Sequence, residues 1–280
     1  MNNKCAFCVP LHPKHFDYGY YIYEQLRNSD ADLYFIFTNL EEKELFYSKM
    51  NKDNNLNALI VADFCDINIL EKNRSFISVK KLYALSKLYE KYDYISVTDS
   101  EIIILKKDNY YSMMKSIVDN KIVAGGKILD TMSGQEKIIR VSLSAITPKK
   151  DQEKLKKISQ EHKLYTWWVN LPVFDCKIAK HFLEWIDFKS SNINRFSWFV
   201  FEHLLYNFFC IMFYKYKFHL IPDCRHSLEF SNTELVENVD KNITKLYWVN
   251  HNAYNQNKAY YDNNNFYVVF HIDRQKFPIF

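Results

Sequence analysis

Two carboxylates stand two residues apart at Asp99-Ser100-Glu101, where the largely apolar run Tyr92-Asp93-Tyr94-Ile95-Ser96-Val97-Thr98 ends. Tyr, Ile and Val fit a pleated, half-buried surface, so the run reads as a buried strand and the acidic pair as its tip. Carboxylates in that position cost desolvation energy unless a cation, a donor group or water meets them. Along extended chain, residues i and i+2 point to one side, so Asp99 and Glu101 can reach a single ion. A hard cation such as Mn²⁺ or Mg²⁺ accepts carboxylate oxygen, keeps several waters and completes its shell with phosphate oxygens. Placed there, it would neutralise charge on a departing diphosphate. The plainer alternative is an acidic turn in solvent. The chain has only 4 Gly and neither a Walker-type loop nor a GxGxxG, so phosphates would be held by metal and by Lys or Arg.

The elements before the tip alternate. Lys4 to Val9 reads as a first strand closed by Pro10 and the loop Leu11-His12-Pro13-Lys14-His15-Phe16. Asp17 to Arg27 follows with apolar residues at helical spacing. Asp32 to Thr38 reads as a second strand, Leu40 to Met50 as a helix and Asn57 to Ala62 as a third strand. Val79 to Lys91 is an amphipathic helix that leads into the acidic strand. This order predicts an α/β fold with a mostly parallel sheet and helices on both faces. Ligands of such sheets bind at the carboxyl ends of the strands, where the loop after Val9 and the acidic tip both lie.

Beyond residue 105 the pattern changes. Asp108 to Val118 reads as a helix, Gly125-Gly126 as a turn needing unusual backbone angles, and Lys137 to Ser144 as a strand. Pro148 to His162 is a Lys-rich helical stretch whose lysines read as a solvated face. Tyr165 to Asp175 is aromatic and extended, and Cys176 to Ile186 an amphipathic helix. Asn194 to Tyr216 reads as an aromatic helix, interrupted by Glu202, His203, Asn207 and Lys215, and therefore buried rather than membrane-spanning. Leu246 to Val249 and Asn265 to Ile272 are strand-like. There is no repeat and no linker, so one domain with a helical C-terminal elaboration is the economical organisation.

With 280 residues, 48% of them hydrophobic, the chain can bury a large core. A net charge of +4 suits an anionic ligand or a membrane surface without requiring either, and lacks the sharper basic patch of a nucleic-acid binder. Six Cys include Cys5-Ala6-Phe7-Cys8, but no second CxxC supplies a zinc set, so these read as core thiols. No signal peptide is visible at Asn2-Asn3-Lys4, which sets the expected location as cytoplasmic.

The strand ending Cys8-Val9-Pro10, the βα alternation and the motif Tyr92 to Glu101 together resemble a GT-A-type nucleotide-sugar glycosyltransferase, in the manner of bacterial enzymes that build capsular polysaccharide or lipooligosaccharide. The resemblance covers residues 4 to 105 well and the rest loosely. It implies a single Rossmann-like GT-A domain, with residues 1–105 binding the nucleotide-sugar and 106–280 the acceptor. It implies a hexosyltransferase using a nucleotide-diphosphate donor such as a UDP-sugar, with Mn²⁺ or Mg²⁺ on Asp99-Ser100-Glu101, where Glu replaces the family's second Asp. Pro10 and His12 would border the nucleotide, with Asp99 close by. Lys80 or Lys81 would reach a phosphate or the base, although an exposed helix start is the plainer reading of both. A further metal ligand is expected near the C-terminus, at His251 or preferably His271.

An inverting transferase needs a carboxylate base. Asp175 and Glu202 are candidates, against ordinary roles as a helix cap and a buried structural pair respectively. Trp167, Trp168 and Trp198 can stack on sugar or pack in the core. The expected acceptor is a glycan or lipid-linked glycan, compatible with peripheral contact at the inner membrane face and with a homo-oligomer, and no nucleic acid is expected. Two other readings of the same tip stay open: a nucleotidyltransferase or other phosphoryl-transfer enzyme, and a non-catalytic carbohydrate-binding protein.

Overall fold

The computed structural model describes residues 4–50, 56–104, 109–127, 133–162, 164–165, 172–220, 246–249 and 267–271. Strand β1 (Cys5–Pro10) is buried along its whole length. Cys5, Phe7 and Val9 face one half of the core, while Ala6 and Cys8 face the other. A strand covered on both faces needs apolar residues at every position, which is how this one reads.

β1 pairs in parallel with β2 (Ala31–Phe37) on one side and β4 (Tyr94–Val97) on the other, with Cys5 opposite both Ala31 and Tyr94. β3 (Asn57–Ile60) adds in parallel to β2, and β8 (Val173–Asp175) adds antiparallel to β4. The order β3-β2-β1-β4-β8 makes a mostly parallel sheet, as expected. Chain order runs outward from β1 in one direction through β2 and β3, and in the other to β4. The crevice between β1 and β4 is therefore the topological switch point of the sheet.

Helices α1 (Phe16–Leu26) and α2 (Leu40–Met50), with α5 (Tyr110–Asp119), cover one face through Phe16, Ile22, Phe46, Tyr110 and Met114. The other face carries α4 (Phe76–Leu88), α6 (Ser133–Ile146), α7 (Lys149–His162), α8 (Cys176–Trp185) and α9 (Glu202–Tyr214). A short helix α3 (Ile67–Asn73), absent from the sequence reading, is capped by the Asp66 carboxylate accepting from the Asn68 N–H. Two three-stranded sheets complete the described chain. One orders β10 (Leu246–Val249), β11 (Tyr267–His271) and β5 (Ile102–Ile104); the other orders β7 (Leu164–Tyr165), β6 (Ile122–Lys127) and β9 (Lys217–Leu220).

Three expectations are corrected. Lys137 to Ser144 lies inside α6, where Ile139, Leu143 and Ile146 recur at helical spacing and are buried. Gly125-Gly126 lies in β6, paired with Leu220 and Tyr165, and no described glycine has a positive φ. The span Asn194 to Tyr216 is not one helix: a 3-10 turn at Ser190–Arg195 and an irregular stretch precede α9. There Ser142 Oγ accepts from the Phe201 N–H at 3.0 Å and donates to the Phe199 carbonyl at 2.9 Å, while Ser78 donates to the Val200 carbonyl. Side chains satisfy the backbone groups that a helix would otherwise pair.

Candidate functional site

The site begins with α4. It starts at Phe76, earlier than the sequence periodicity suggests, and nearly every residue from Ser78 to Leu85 is buried. Lys80 and Lys81 are therefore buried side chains, a correction to the exposed helix start. Consecutive helical residues point about 100° apart, so the two ammonium groups serve different neighbourhoods.

Lys80 Nζ donates to the Leu11 carbonyl in the loop after β1 and lies 3.5 Å from the Glu42 carboxylate. Glu42 also accepts from the Thr38 N–H at 2.7 Å, so this network ties the chain leaving β1 to the chain leaving β2. Burial pushes the Lys80 ammonium down to about 8, with Glu42 opposing.

Lys81 Nζ lies 2.8 Å from Asp99 Oδ1 and 3.0 Å from Glu202 Oε1. Burial alone would lower its pKa, but the two carboxylates outweigh it and hold the ammonium above the usual lysine range. Glu202 opens α9 and is buried, as is the adjoining His203. Burial, then Lys81, pushes the His203 imidazole down to about 3, with Asp99 opposing, so it is neutral at ordinary pH.

Glu101 turns to another partner. Its Oε1 lies 2.7 Å from His15 Nδ1, and its Oε2 accepts from Ser100 Oγ at 3.0 Å. Ser100 Oγ also stands 3.3 Å from His15 Nδ1. His15 occupies the position before α1 without capping it, so its ring is directed to the acidic tip. The backbone draws the same two loops together, with the Thr98 N–H donating to the Cys8 carbonyl at 3.0 Å. The loops after β1 and β4 thus meet across the switch point through His15, Ser100 and Glu101.

Of the residues singled out from sequence, Pro10 ends β1 and is buried. His12 accepts from the Lys14 N–H at 3.2 Å, and its pKa is lowered, chiefly by burial. Asp99, Lys81 and Glu202 come together. Asp175 does not join them: it pairs across from Tyr94 at the amino end of β4, about five strand residues or roughly 16 Å of extended chain from Asp99. There it caps α8, accepting from the Lys177 N–H at 3.0 Å, and burial raises its carboxyl. It thus fills its ordinary place as a cap, apart from the Asp99 cluster. Trp198 is exposed. Trp167, Trp168 and His251 lie outside the described residues. The backbone of His271 ends β11 opposite Ile102, the residue after Glu101.

His15, Ser100 and Glu42 were not singled out from sequence. His15 was recoverable as a ring in the loop after the first strand. Glu42 carried no signal, because its role depends on Lys80 being buried.

No protein-family model matches the chain, and no curated protein matches it. Among solved structures, the apo form of mouse xyloside xylosyltransferase 1 is similar over 99% of this chain and 99% of its own, at 9% identity and a TM-score of 0.46.

Asp99 and Glu101 offer hard carboxylate oxygens, each with capacity for more than one contact. Among the described residues no group of three or more His, Cys, Asp or Glu is arranged to hold a metal ion. The donor type suits Mn²⁺ or Mg²⁺, which take few protein ligands and leave places for phosphate oxygens and water.

Proposed function

We propose that this chain is a glycosyltransferase that moves a sugar from a nucleotide-diphosphate donor, a UDP-sugar in our reading, to a glycan or lipid-linked glycan of the kind assembled into bacterial surface polysaccharide. The observation that supports it is the placement of Asp99-Ser100-Glu101 at the switch point of a mostly parallel sheet, with Asp99 held by a buried lysine. In such a transfer an acceptor hydroxyl oxygen bonds to the anomeric carbon, the bond from that carbon to the diphosphate breaks, and its electron pair leaves on the diphosphate. The acceptor hydroxyl proton departs to a base. Asp99 and Glu101, with His271 from β11, would hold Mn²⁺ or Mg²⁺, which when bound neutralises the charge of the leaving diphosphate.

The chain's own residues have separable parts. Lys81 is fully engaged by two carboxylates and so serves as an anchor for Asp99 rather than as a phosphate clamp. Glu202 acts through Lys81, as a positioning residue. Lys80 fixes the Leu11 loop that, with Pro10 and His12, would border the nucleotide. Among the described residues no helix is long and apolar enough to cross a membrane.

Thermal shift tests the proposal with UDP, GDP, CMP, AMP and the nucleoside triphosphates UTP, GTP, CTP and ATP, each with and without Mn²⁺. A rise in Tm with UDP only when metal is present is expected. No shift with any nucleotide would sink the transferase and leave carbohydrate binding. A shift with nucleotide triphosphates alone would favour nucleotidyl transfer. Asp99→Ala is expected to abolish metal-dependent hydrolysis of the donor while leaving far-UV circular dichroism unchanged.

A further inference from the structure

Helix α7 (Lys149–His162) lies away from the acidic tip in the chain and has two unlike sides. Its inner side is fastened: Leu155 is fully buried, Asp151 accepts from Trp185 Nε1 at 2.9 Å, and Gln152 Nε2 donates to the Ser144 and Thr147 carbonyls at 2.9 and 3.2 Å. On the outer side Lys149, Lys150, Lys154 and Lys156 are all exposed, within an arc of about 160° at 100° per residue. Lys157 is exposed with them, and two acidic positions, Glu153 and Glu161, fall inside that arc and leave its formal charge positive. In the first turn of a helix a lysine opposes the macrodipole, so Lys149 and Lys150 do not serve the stability of the helix.

We propose that this lysine face docks the protein on an anionic lipid surface. Clusters of four or more basic residues on one side of an amphipathic helix, anchored by the other, are suited to anionic headgroups. The details favour a bilayer over a discrete polyanion. The charges are lysines, point charges on flexible stems that follow mobile headgroups, and no arginine fork is present for bidentate capture of a fixed phosphate. No aromatic side chain is interleaved among them, as a single-stranded nucleic acid would need for stacking. The face is a single helix side about 12 Å long between Lys149 and Lys157. It exposes no apolar residue in the arc, so adsorption is electrostatic and shallow rather than insertive. This inference does not depend on the reaction proposed above, and either can fail alone.

The test is sedimentation of the full chain with phosphatidylcholine vesicles, with and without phosphatidylserine, at low and high salt. Binding only to phosphatidylserine vesicles, released by salt, is expected. The triple variant Lys149→Glu, Lys150→Glu, Lys154→Glu should lower partitioning by about 100-fold or more, at roughly one factor of five per lysine. A milder triple, the same positions to Gln, guards against loss of helix and should fall in the same direction. A control with equal charge change, Lys49→Glu, Lys72→Glu, Lys87→Glu, alters exposed lysines on α2, α3 and α4 and should retain most binding. No binding to phosphatidylserine vesicles would overturn the proposal. So would an equal loss in the control triple, or equally tight capture of duplex DNA through the same three lysines.

Discussion

Replacing Lys81 by Met removes an ammonium while keeping the length of its stem, and it isolates the electrostatics of the Asp99 anchor. In the native chain Lys81 sits 2.8 Å from Asp99 and 3.0 Å from Glu202, whose side chains are 30% and 3% exposed. Asp99 can rehydrate in part, so most of the damage falls on Glu202. Removing one member of a buried ion pair costs about 3–5 kcal/mol, because the other charge is left without a partner. Against a total stability of about 5–15 kcal/mol the variant should fold but melt much earlier. The deficit should shrink on acidification, since a buried carboxylate lacking its counter-ion takes up a proton. The double variant Lys81→Met, Glu202→Gln removes both charges with little change of shape, and should recover at least about 2 kcal/mol of the loss. Urea titrations followed by far-UV circular dichroism, at pH 5.5 and pH 8, measure all of these. A single variant within about 1 kcal/mol of the native chain, or a double variant no better than the single, would show that the Lys81 cluster is not a coupled unit.

Lys80 should leave its signature in an alkaline window. Its folded pKa is lowered to about 8 from an ordinary 10.5, so between those values the unfolded chain binds more protons and this group's contribution to stability rises with pH, by up to about 3 kcal/mol. Lys80→Met should lack that rise, seen as a native-minus-variant stability difference that grows from pH 8 to pH 10; a constant difference would contradict the placement. Lys81, held above 10.5, gives its full contribution below that pH and loses it only as pH climbs through the folded value. Gly19→Ala would place a Cβ 2.8 and 2.9 Å from the Leu11 methyls and 3.1 Å from Phe46 Cε2. Overpacking of about 1–3 kcal/mol should outweigh a helix gain of about 1 kcal/mol, lowering Tm, and a raised Tm would refute the tight contact.

The residues that could be read ahead of the structure are those whose role is local. β1 and β4 announce themselves because a strand covered on both faces carries a nearly continuous apolar run, broken in β4 only by Ser96, and the tip follows from where that run stops. α6 misled because Ile138-Ile139-Arg140-Val141 is rich in β-branched residues, and only its burial at Ile139, Leu143 and Ile146 reveals the helical period. The break before α9 depends on Ser78 and Ser142, which are distant in sequence and supply the backbone partners. Lys81 carries no local signal, because its burial is meaningful only once Glu202, 121 positions later, is set beside it.

The acidic tip is also a junction in folding time. Before it, β4 pairs with β1 inside the first hundred residues; after it, β5 finds β11, with Ile102 opposite His271, a closure of roughly 170 residues. A chain emerging from the ribosome could settle its large sheet, Lys81 included, long before β11, the partner of β5, exists. On this order the β11 side of the tip is assembled last, and any activity that needs it would be withheld from incomplete chains without a separate inhibitor.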